Sequence, residues 1–394
     1  MTLFKATGVI MAGLYFALAP LSTWACDYRL EKFPQECQLQ DRYTAVKTGF
    51  EKFDVDVEQL ATYRALRFIA HYHWNPKKAG IDYLPWFRYD PKPVTWMFWE
   101  RGVAEAKEVF QGNSLSINDL KRVHREIIDP AIIRKVSLRK GAWPGKIRNR
   151  PWQKAPSWKA KCSDWPLSEA EFNLLKNYDL KSVKGKPLVR IKKAKRCKGK
   201  TPRGEGVFYK ARVVYLKSTS VPANLEKYFA DLNKGLALLD EGNSPLSPLE
   251  FAADAQRRLI SIHPHGDGNG RMARLIQDYI TQRYGLPFAP SGRLTEDLTS
   301  VTVKYRQIFK QVTFETMSEL EKCLVEHQQQ KASGDCRAIN KNYSNENDKI
   351  SLKKNQFKKE LAKFLQVRNE DLKKYIENNK YIGEISKGKE EDRE

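Results

Sequence analysis

The chain has 394 residues, of which 41% are apolar, so it is long enough to bury a sizeable core and fits one catalytic domain with extensions. Lysines and arginines number 70 against 47 aspartates and glutamates, which gives a formal net charge of +23. The sequence contains no internal repeats, which excludes a repeat array. The charge favours anionic partners without deciding their class.

The first 25 residues have the pattern of a secretory signal peptide. Lys5 is followed by an apolar run from Ala6 to about Pro20 and by a short polar end, and the run is too short for a typical spanning helix. We therefore expect a secreted or periplasmic protein. Cleavage after Ala25 would make Cys26 the first mature residue, so a lipoprotein is the alternative.

Residues 26–110 are rich in aromatic side chains and are predicted to form a helical N-terminal region. Core packing is the default explanation for these aromatic residues, and a target-binding surface is the alternative. His71 and His73 form an H-x-H pair, for which ordinary structural histidines are favoured over a metal site.

The main domain is predicted to span residues 111–327 and to begin with a capped helix. Ser116 and Asp119 form a capping box, with Leu115 and Leu120 placed as a hydrophobic staple. The pattern predicts a helix whose apolar side faces the core.

Residues 145–205 have the composition of a basic insertion in this domain. They hold 18 Lys and Arg against 5 Asp and Glu, and this excess of 18 − 5 = 13 positive charges is more than half of the net charge of +23. Such a run predicts a solvated, mobile loop that attracts an acidic target protein, an anionic membrane surface or a nucleic acid. Because the stretch carries no reader motif, we expect no specific nucleic-acid recognition.

Two β-rich runs, residues 207–209 and 213–216, predict a small β-hairpin within residues 206–220. A helix over residues 223–240 is predicted to follow. The composition then becomes polar, which predicts a linker and a C-terminal helix over residues 328–394. The expected fold class is mainly α: a helical bundle with a small β-hairpin, a helical N-terminal extension and a C-terminal helical tail.

The most informative segment is H-P-H-G-D-G-N-G-R-M-A-R at residues 263–274. A capping box at residues 247–250 predicts a helix that runs into His263, and helical spacing resumes at about Asn269. A helix, a Gly-rich turn and a helix N-terminus form an anion cradle, because unpaired N–H groups and the positive end of the helix dipole face the turn. A dinucleotide-binding fingerprint is excluded, since it needs a strand before the turn.

The polar residues of this segment suit a nucleotide site. His263 can accept a proton near neutral pH, with a structural histidine that caps its own helix as the alternative. Asp267 is a hard oxygen ligand suited to Mg²⁺, with an ordinary turn aspartate as the alternative. Asn269 can donate to a phosphate oxygen or close the helix, while Gly268 and Gly270 permit close approach to an oxyanion.

Arg271 and Arg274 lie three residues apart on the predicted helix, so they face one side and can grip successive phosphates. With them, the order H-x-x-x-D-G-N-G-R-x-x-R resembles the signature of the Fic family, whose enzymes mostly transfer AMP from ATP to a protein hydroxyl. The resemblance implies His263 as general base, Asp267 as Mg²⁺ ligand and Gly268–Gly270 as anion hole. It implies that the two arginines contact the outer phosphates of ATP, and that the main domain is a Fic catalytic domain.

The implied reaction is adenylyl transfer to a Ser, Thr or Tyr hydroxyl of a target protein. Family members that phosphorylate have a lysine where this chain has Gly270, which favours adenylyl transfer. Transfer of another nucleotide or of phosphocholine is the first alternative, and an inactive binding module is the second. In the family, a hairpin in the place of residues 206–220 docks the target by strand addition, and an ordinary structural hairpin is the alternative.

One position departs from the family pattern, because His265 stands where Phe is usual. A buried histidine needs hydrogen-bond partners, and we expect a packing variant. The alternation of His263, His265 and Asp267 allows a transition-metal site as the alternative. Many Fic enzymes carry an inhibitory [S/T]-x-x-x-E-[G/N] helix. The string T-P-R-G-E-G at residues 201–206 has this form, but its Pro202 and Gly204 are poor helix formers, so we expect constitutive activity or a separate inhibitory partner.

The six cysteines form three pairs of sequence neighbours: Cys26 with Cys37, Cys162 with Cys197, and Cys323 with Cys336. In an exported protein an even number favours disulfides; six cysteines allow 15 connectivities, and we expect neighbours to pair. Because ATP is scarce outside the cytoplasm, an exported adenylyltransferase is expected to reach an ATP-containing compartment as a secreted effector or toxin.

Overall fold

The structure is a computed structural model, and it describes residues 26–53, 55–58, 60, 94–112, 114–127, 145–149, 157–159, 162, 166–198, 201, 206–287, 296–332 and 336. The predicted signal peptide, the H-x-H pair and the predicted C-terminal helix lie outside these residues. Within the described part of the chain, no helix is both long and apolar enough to cross a membrane.

Most of the described residues are helical, as the sequence predicts. The helices are α1 (Pro34–Glu51), α2 (Val94–Val109), α3 (Ile117–Ile127), α4 (Glu169–Leu175), α5 (Val221–Asp240), α6 (Pro248–Ile262), α7 (Asn269–Arg283), α8 (Glu296–Thr299) and α9 (Thr302–Gln328). Helix α6 lies at the centre of the bundle and packs against α5, α7 and α9. Helix α1 packs against α9, while α2 and α3 pack together and contact α7.

Both predicted capping boxes are present. Ser247 and Glu250 bond reciprocally through side chain and backbone at 3.1 and 3.3 Å, and Ser116 and Asp119 do the same at 2.8 and 3.3 Å. Because these bonds satisfy N–H groups that the helix itself leaves free, they fix the starts of α6 and α3.

A small antiparallel sheet lies beside the bundle. Its strands are β1 (Ser157–Lys159), β2 (Leu167–Ser168), β3 (Arg190–Arg196) and β4 (Phe208–Val214). All of the others pair with β4. Since Val214 is in register with both Ser157 and Arg190, β1 and β3 lie on opposite edges of β4.

Residues 206–220 do not form a hairpin by themselves. Residues 208–214 are one continuous strand, and its long antiparallel partner is β3, which lies in the basic stretch. The three residues between the two β-rich runs are the reason, because Ala211 is buried between the exposed Lys210 and Arg212. This alternation continues the period of two, so the chain does not turn there.

The expectation of a mobile loop over the whole basic stretch is wrong for residues 166–198. Here the chain forms β2, α4 and β3, with a capping box between Ser168 and Glu171. Its buried apolar side chains are Leu167, Phe172, Leu175, Tyr178, Leu188 and Val189. Apolar residues spaced among the charges supply a small core, which the net charge alone does not reveal. We call residues 157–159, 166–198 and 206–214 the sheet lobe.

Two buried contacts fasten the sheet lobe to α6. Arg257 of α6 has no exposed side-chain surface, and its Nη2 lies 2.8 Å from the carboxylate of Asp179. The hydroxyl groups of Tyr178 and Ser261 lie 2.9 Å apart. Ser261 is two residues before His263, so the lobe is held against the end of α6.

The cysteines pair as sequence neighbours, as expected. The Cα–Cα distances of the disulfides are 5.5, 5.6 and 4.9 Å in chain order. The second disulfide, Cys162–Cys197, joins the sheet lobe at the end of β3.

Candidate functional site

The Gly-rich turn joins the packed helices α6 and α7. His263 ends α6 in the left-handed region, with φ 53° and ψ 61°, and its N–H donates to the carbonyl of Leu259 at 3.1 Å. Gly268, with φ 77°, precedes the first residue of α7. A left-handed residue other than glycine costs on the order of 1 to 2 kcal/mol. The surroundings must therefore hold His263 in place.

Arg148 provides that support. Its side chain is buried, and its Nε donates to the carbonyl of His263 at 2.8 Å. Its Nη2 reaches the carbonyl of Ile262 at 3.4 Å, and its Nη1 donates to Leu216 and Ser218. Its backbone N–H also donates to the carbonyl of Pro264 at 2.8 Å. One guanidinium thus joins the end of α6 to the chain that follows β4.

The imidazole of His263 stacks on the ring of Tyr215, with 3.8 Å between ring centroids and 21° between ring planes. Burial lowers the pKa of His263 to about 3, and the charge of Arg148 acts in the same direction, while the carbonyl of Ile260 opposes it. The imidazole is therefore neutral at neutral pH. A neutral, positioned imidazole can accept a proton.

His265 is fully buried and stacks on His124, with 3.6 Å between centroids and 9° between planes. Its Nδ1 lies 2.8 Å from the carbonyl of Lys146 and must donate to it. The Nδ1 of His124 accepts from the N–H of Gly145 at 2.8 Å, which leaves its Nε2 to donate to the carbonyl of Asp267 at 2.9 Å. Burial lowers the pKa of both rings, that of His265 to about 4.

The flat ring of His265 thus packs where a phenyl ring would, and its polar Nδ1 has a carbonyl partner. The packing-variant expectation is consistent with this arrangement. The alternative of a transition-metal site is not supported, because the rings of His263 and His265 stack on different neighbours. Among the described residues, no three His, Cys, Asp or Glu side chains are grouped to hold a metal.

Asn269 closes the turn through its side chain. Its Oδ1 accepts from the N–H of His265 at 2.8 Å, and its Nδ2 donates to the carbonyl of the same residue at 2.9 Å. What Asn269 offers an anion is therefore its backbone N–H. With those of Gly270 and Arg271, it belongs to the first turn of α7, where N–H groups have no partner within the helix.

Gly270 leaves room beside Arg274. A Cβ at this position would lie 2.9 Å from Nη1 of Arg274, so a larger residue would displace that side chain. Asp267 lies at the mouth of the turn with 36% of its side chain exposed. Its Oδ1 accepts from the N–H of Gly268 at 2.7 Å, and its Oδ2 is 3.9 Å from Nη2 of Arg271.

The two arginines differ in their surroundings. Arg271 donates to the carbonyl of Ile127 at 2.6 Å, which ties α7 to α3. Arg274 is 1% exposed and donates from Nη1 to the carbonyl of Gly270 at 2.9 Å. Its Nε and Nη2 are buried and have no hydrogen-bond partner in the described part of the chain. Burial lowers its pKa, and the charge of Asp297 opposes this.

Unsatisfied buried donors of a guanidinium cost several kcal/mol unless an anion meets them, by rough estimate. Arg274 therefore fits a phosphate or another anion bound at the N-terminus of α7. The structure thus brings every site residue predicted from sequence into one turn and the first part of α7. Sequence reasoning missed Arg148, Tyr215 and His124. Of these, only Tyr215 lies in a segment singled out from the sequence, the β-rich run 213–216, because contacts between residues far apart in the chain leave no spacing to recognise.

Comparison with known proteins agrees with this geometry. Residues 188–281 match the sequence model of the Fic/DOC family. The matched span runs from β3 through the Gly-rich turn and most of α7.

Among sequence relatives, a uridine 5'-monophosphate transferase of Xanthomonas campestris pv. campestris is 56% identical over 45 residues, 11% of this chain and 8% of that protein. The protein adenylyltransferase Fic of Nematostella vectensis is 40% identical over 81 residues, 20% of this chain and 18% of that protein. The chain thus covers less than a fifth of the length of these relatives.

Solved structures give a more distant likeness. A Fic-domain signalling protein of Bacteroides thetaiotaomicron aligns with 75% of this chain and 96% of its own, at 16% identity and a TM-score of 0.38. Fic-1 of C. elegans aligns with 73% of this chain and 71% of its own, at 14% identity and a TM-score of 0.38.

Proposed function

We propose that this protein transfers AMP from ATP to a Ser, Thr or Tyr hydroxyl of a target protein. The observation that carries the proposal is one arrangement: His263, whose imidazole is neutral, ends α6, and a short turn joins it to the first-turn N–H groups of α7, which have no partner within the helix. The buried guanidinium of Arg274 has donors left for an anion in the same place. A proton acceptor beside an anion cradle is the equipment that phosphoryl-group transfer to a hydroxyl needs.

In the proposed reaction, His263 takes the proton of the target hydroxyl while its oxygen attacks the α-phosphorus of ATP. A P–O bond to the target forms, the bond to the β-phosphate oxygen breaks, and pyrophosphate leaves with the electron pair. The N–H groups of Asn269, Gly270 and Arg271 hold negative charge on the phosphates, and Arg274 holds the outer ones. Asp267 would hold Mg²⁺, which would neutralise phosphate charge.

The relatives named protein adenylyltransferase support AMP as the transferred group. The relative named uridine 5'-monophosphate transferase favours a second candidate, transfer of UMP from UTP, because its match has the higher identity of the two. The motif itself binds phosphates and makes no contact that distinguishes bases. The choice between ATP and UTP is therefore decided by residues outside the turn.

We further propose that residues 1–25 export the protein and that it acts in an ATP-containing compartment of another cell or in a lumen. The charge of +23 supports a target with an acidic surface. The string at residues 201–206 that matches the inhibitory [S/T]-x-x-x-E-[G/N] pattern contains Pro202 and Gly204, which are poor helix formers, so we propose that activity is constitutive or is restrained by a separate partner.

The test is label transfer by the purified protein, to itself and to proteins of a lysate. ATP, UTP, GTP and CTP are supplied separately with the label on the α-phosphate, with and without MgCl₂. We expect Mg²⁺-dependent labelling from ATP, and a fall of about 10² to 10⁴ in rate for His263→Ala, because general-base catalysis is worth that much.

The control variant is His327→Ala, which removes a histidine at the far end of α9, and both variants are checked by thermal unfolding. Labelling from UTP alone would favour the second candidate. Labelling only from ATP that carries its label on the γ-phosphate, supplied in a parallel reaction, or equal rates with and without His263, would contradict both.

A further inference from the structure

A strongly cationic strand forms the outer part of the sheet lobe. β3 spans seven residues, and five of them are exposed lysines or arginines: Arg190, Lys192, Lys193, Lys195 and Arg196. Lys193 has a carboxylate partner, Glu169. For the other four, no ion pair exists in the described part of the chain.

The strand register places like charges directly opposite each other. Lys192 of β3 is in register with Arg212 of β4, and Arg212 is in register with Lys159 of β1. Neighbouring strands lie about 4.8 Å apart, and like charges directly opposite destabilise a sheet. β3 and β4 thus carry exposed cations at one level, which folding alone does not favour.

Protection of a sheet edge does not account for this row. Lysines on an edge strand prevent self-association, and that role could explain β3 by itself. It does not explain Arg212, because β4 is an interior strand with neighbours on both edges. Among the residues that the structure describes, the one hydrogen-bond partner of the exposed Arg212 side chain is a hydroxyl, the Oγ of Ser157 at 3.4 Å.

The cationic row is close to the candidate site. Arg190 is in register with Val214, and the next residue, Tyr215, stacks on the imidazole of His263. Over residues 208–214, β4 has partners on both edges along most of its length. In the described part of the chain β3 pairs with no strand other than β4, so its outer edge can accept an incoming strand. A segment that lies along β3 toward Arg190 therefore approaches His263.

We propose that Arg190, Lys192, Lys195 and Arg212, here called the cationic strip, bind an extended acidic segment of the target protein. The proposal rests on the proposed function for its choice of a protein partner, since the strip leads to the base that would act on a protein hydroxyl. The described residues of β3 include no aromatic ring on which a nucleic-acid base could stack. Carboxylates spaced along an extended segment match cations spaced along a strand.

The test measures binding directly by fluorescence anisotropy, without nucleotide. The probe is a fluorescein-labelled peptide with one Ser between runs of Glu and Asp, and its matched peptide has Gln and Asn at the acidic positions. A fluorescein-labelled single-stranded DNA and vesicles of phosphatidylcholine with phosphatidylserine represent the other anionic partners.

The test variant is Lys192→Gln with Lys195→Gln and Arg212→Gln. Its matched control, Lys234→Gln with Lys304→Gln and Lys322→Gln, removes the same charge from exposed positions of α5 and α9. We expect the acidic peptide to bind about tenfold more weakly to the test variant and to change by about twofold or less in the control. Both sets of positions are exposed, so thermal unfolding is expected to be unchanged.

If the two variants lose affinity for the acidic peptide equally, the peptide binds through the overall charge and not through the cationic strip, and the proposal is overturned. A preference for DNA or for vesicles over the peptide, lost in the test variant, would overturn it in favour of that partner. Binding is measured without ATP, so it does not depend on the proposed reaction. If the peptide binds through the cationic strip but no label is transferred, the proposed reaction is contradicted and the docking surface is retained. If label is transferred to acidic and neutral peptides at equal rates, the proposed reaction is retained and the docking surface is contradicted.

Discussion

The Gly-rich turn and the sheet lobe adjoin each other, yet they relate to the sequence in opposite ways. The residues of the candidate site were identifiable from their order alone, and they lie in the turn after α6 and in the first part of α7. In the sheet lobe, charge composition predicted a mobile loop, and the described residues form strands and a helix instead. The candidate site residues of the turn are close in sequence, whereas folding in the lobe depends on the pairing of distant strands.

The two regions are also physically linked. Arg148, at the start of the basic stretch, bonds to the carbonyls of His263 and Ile262. Tyr178 and Asp179 of the lobe contact Ser261 and Arg257 of α6. The lobe is therefore part of the framework that holds the candidate base, and the following predictions test that dependence.

The largest effect on stability is expected at Arg148. Arg148 makes five hydrogen bonds near His263, four from its guanidinium and one from its backbone N–H. Arg148→Met removes the four guanidinium bonds and leaves the backbone one. It leaves buried carbonyl groups unsatisfied, so we expect a loss on the order of 4 kcal/mol in the free energy of unfolding, measured with urea. Loss of the positive charge should also raise the pKa of His263.

The control for that variant is Arg258→Met. Arg258 forms an ion pair of 2.7 Å with Asp231, and its side chain is 26% exposed. Such a pair contributes about 1 kcal/mol or less. Similar losses in the two variants would show that Arg148 has no special role at the turn.

The next effect tests whether the sheet lobe is folded. Leu188 is 1% exposed, and Leu188→Ala is expected to cost about 3 kcal/mol by urea unfolding, through lost burial and the cavity left behind. Leu174, in the same lobe, is 65% exposed, and Leu174→Ala should change stability by about 0.5 kcal/mol or less. If the two variants unfold alike, or if protease cleaves wild-type residues 166–198 as rapidly as a loop, the lobe is not an ordered unit.

The smallest effect concerns pH and the departure at His265. The folded protein holds the pKa of His265 at about 4, below its ordinary value of 6.5. Between pH 4 and 6.5, His265 is therefore protonated in the unfolded chain and neutral in the folded chain. The free energy of unfolding decreases as the pH falls from 6.5 to 4. His265→Phe removes this contribution, so the slope of unfolding free energy against pH should decrease by up to about 1.4 kcal/mol per unit.

Urea unfolding of both proteins at several pH values between 4 and 6.5 measures that slope. The stack on His124 can persist with a phenyl ring, which favours a folded variant. An unchanged slope would show that His265 is already protonated in the folded protein, against the burial seen here.

Structural features that depend on neighbours along the chain could be predicted from the amino-acid sequence. The capping boxes at Ser116 and Ser247, the ends of α6 and the start of α7, and the candidate site residues all follow from interactions over about four residues. Such interactions leave a spacing that can be recognised. The disulfide pairs between sequence neighbours belong to the same kind of inference.

Contacts between distant segments could not be predicted in this way and are seen only in the folded protein. Arg148 meets His263 across 115 positions, and His124 meets Asp267 across 143. The orientation of a buried guanidinium or imidazole depends on which carbonyl groups surround it, and strand pairing depends on which edges are free. Those surroundings exist only after distant segments have packed, because a hydrogen bond is selected by position in space and not by distance along the chain.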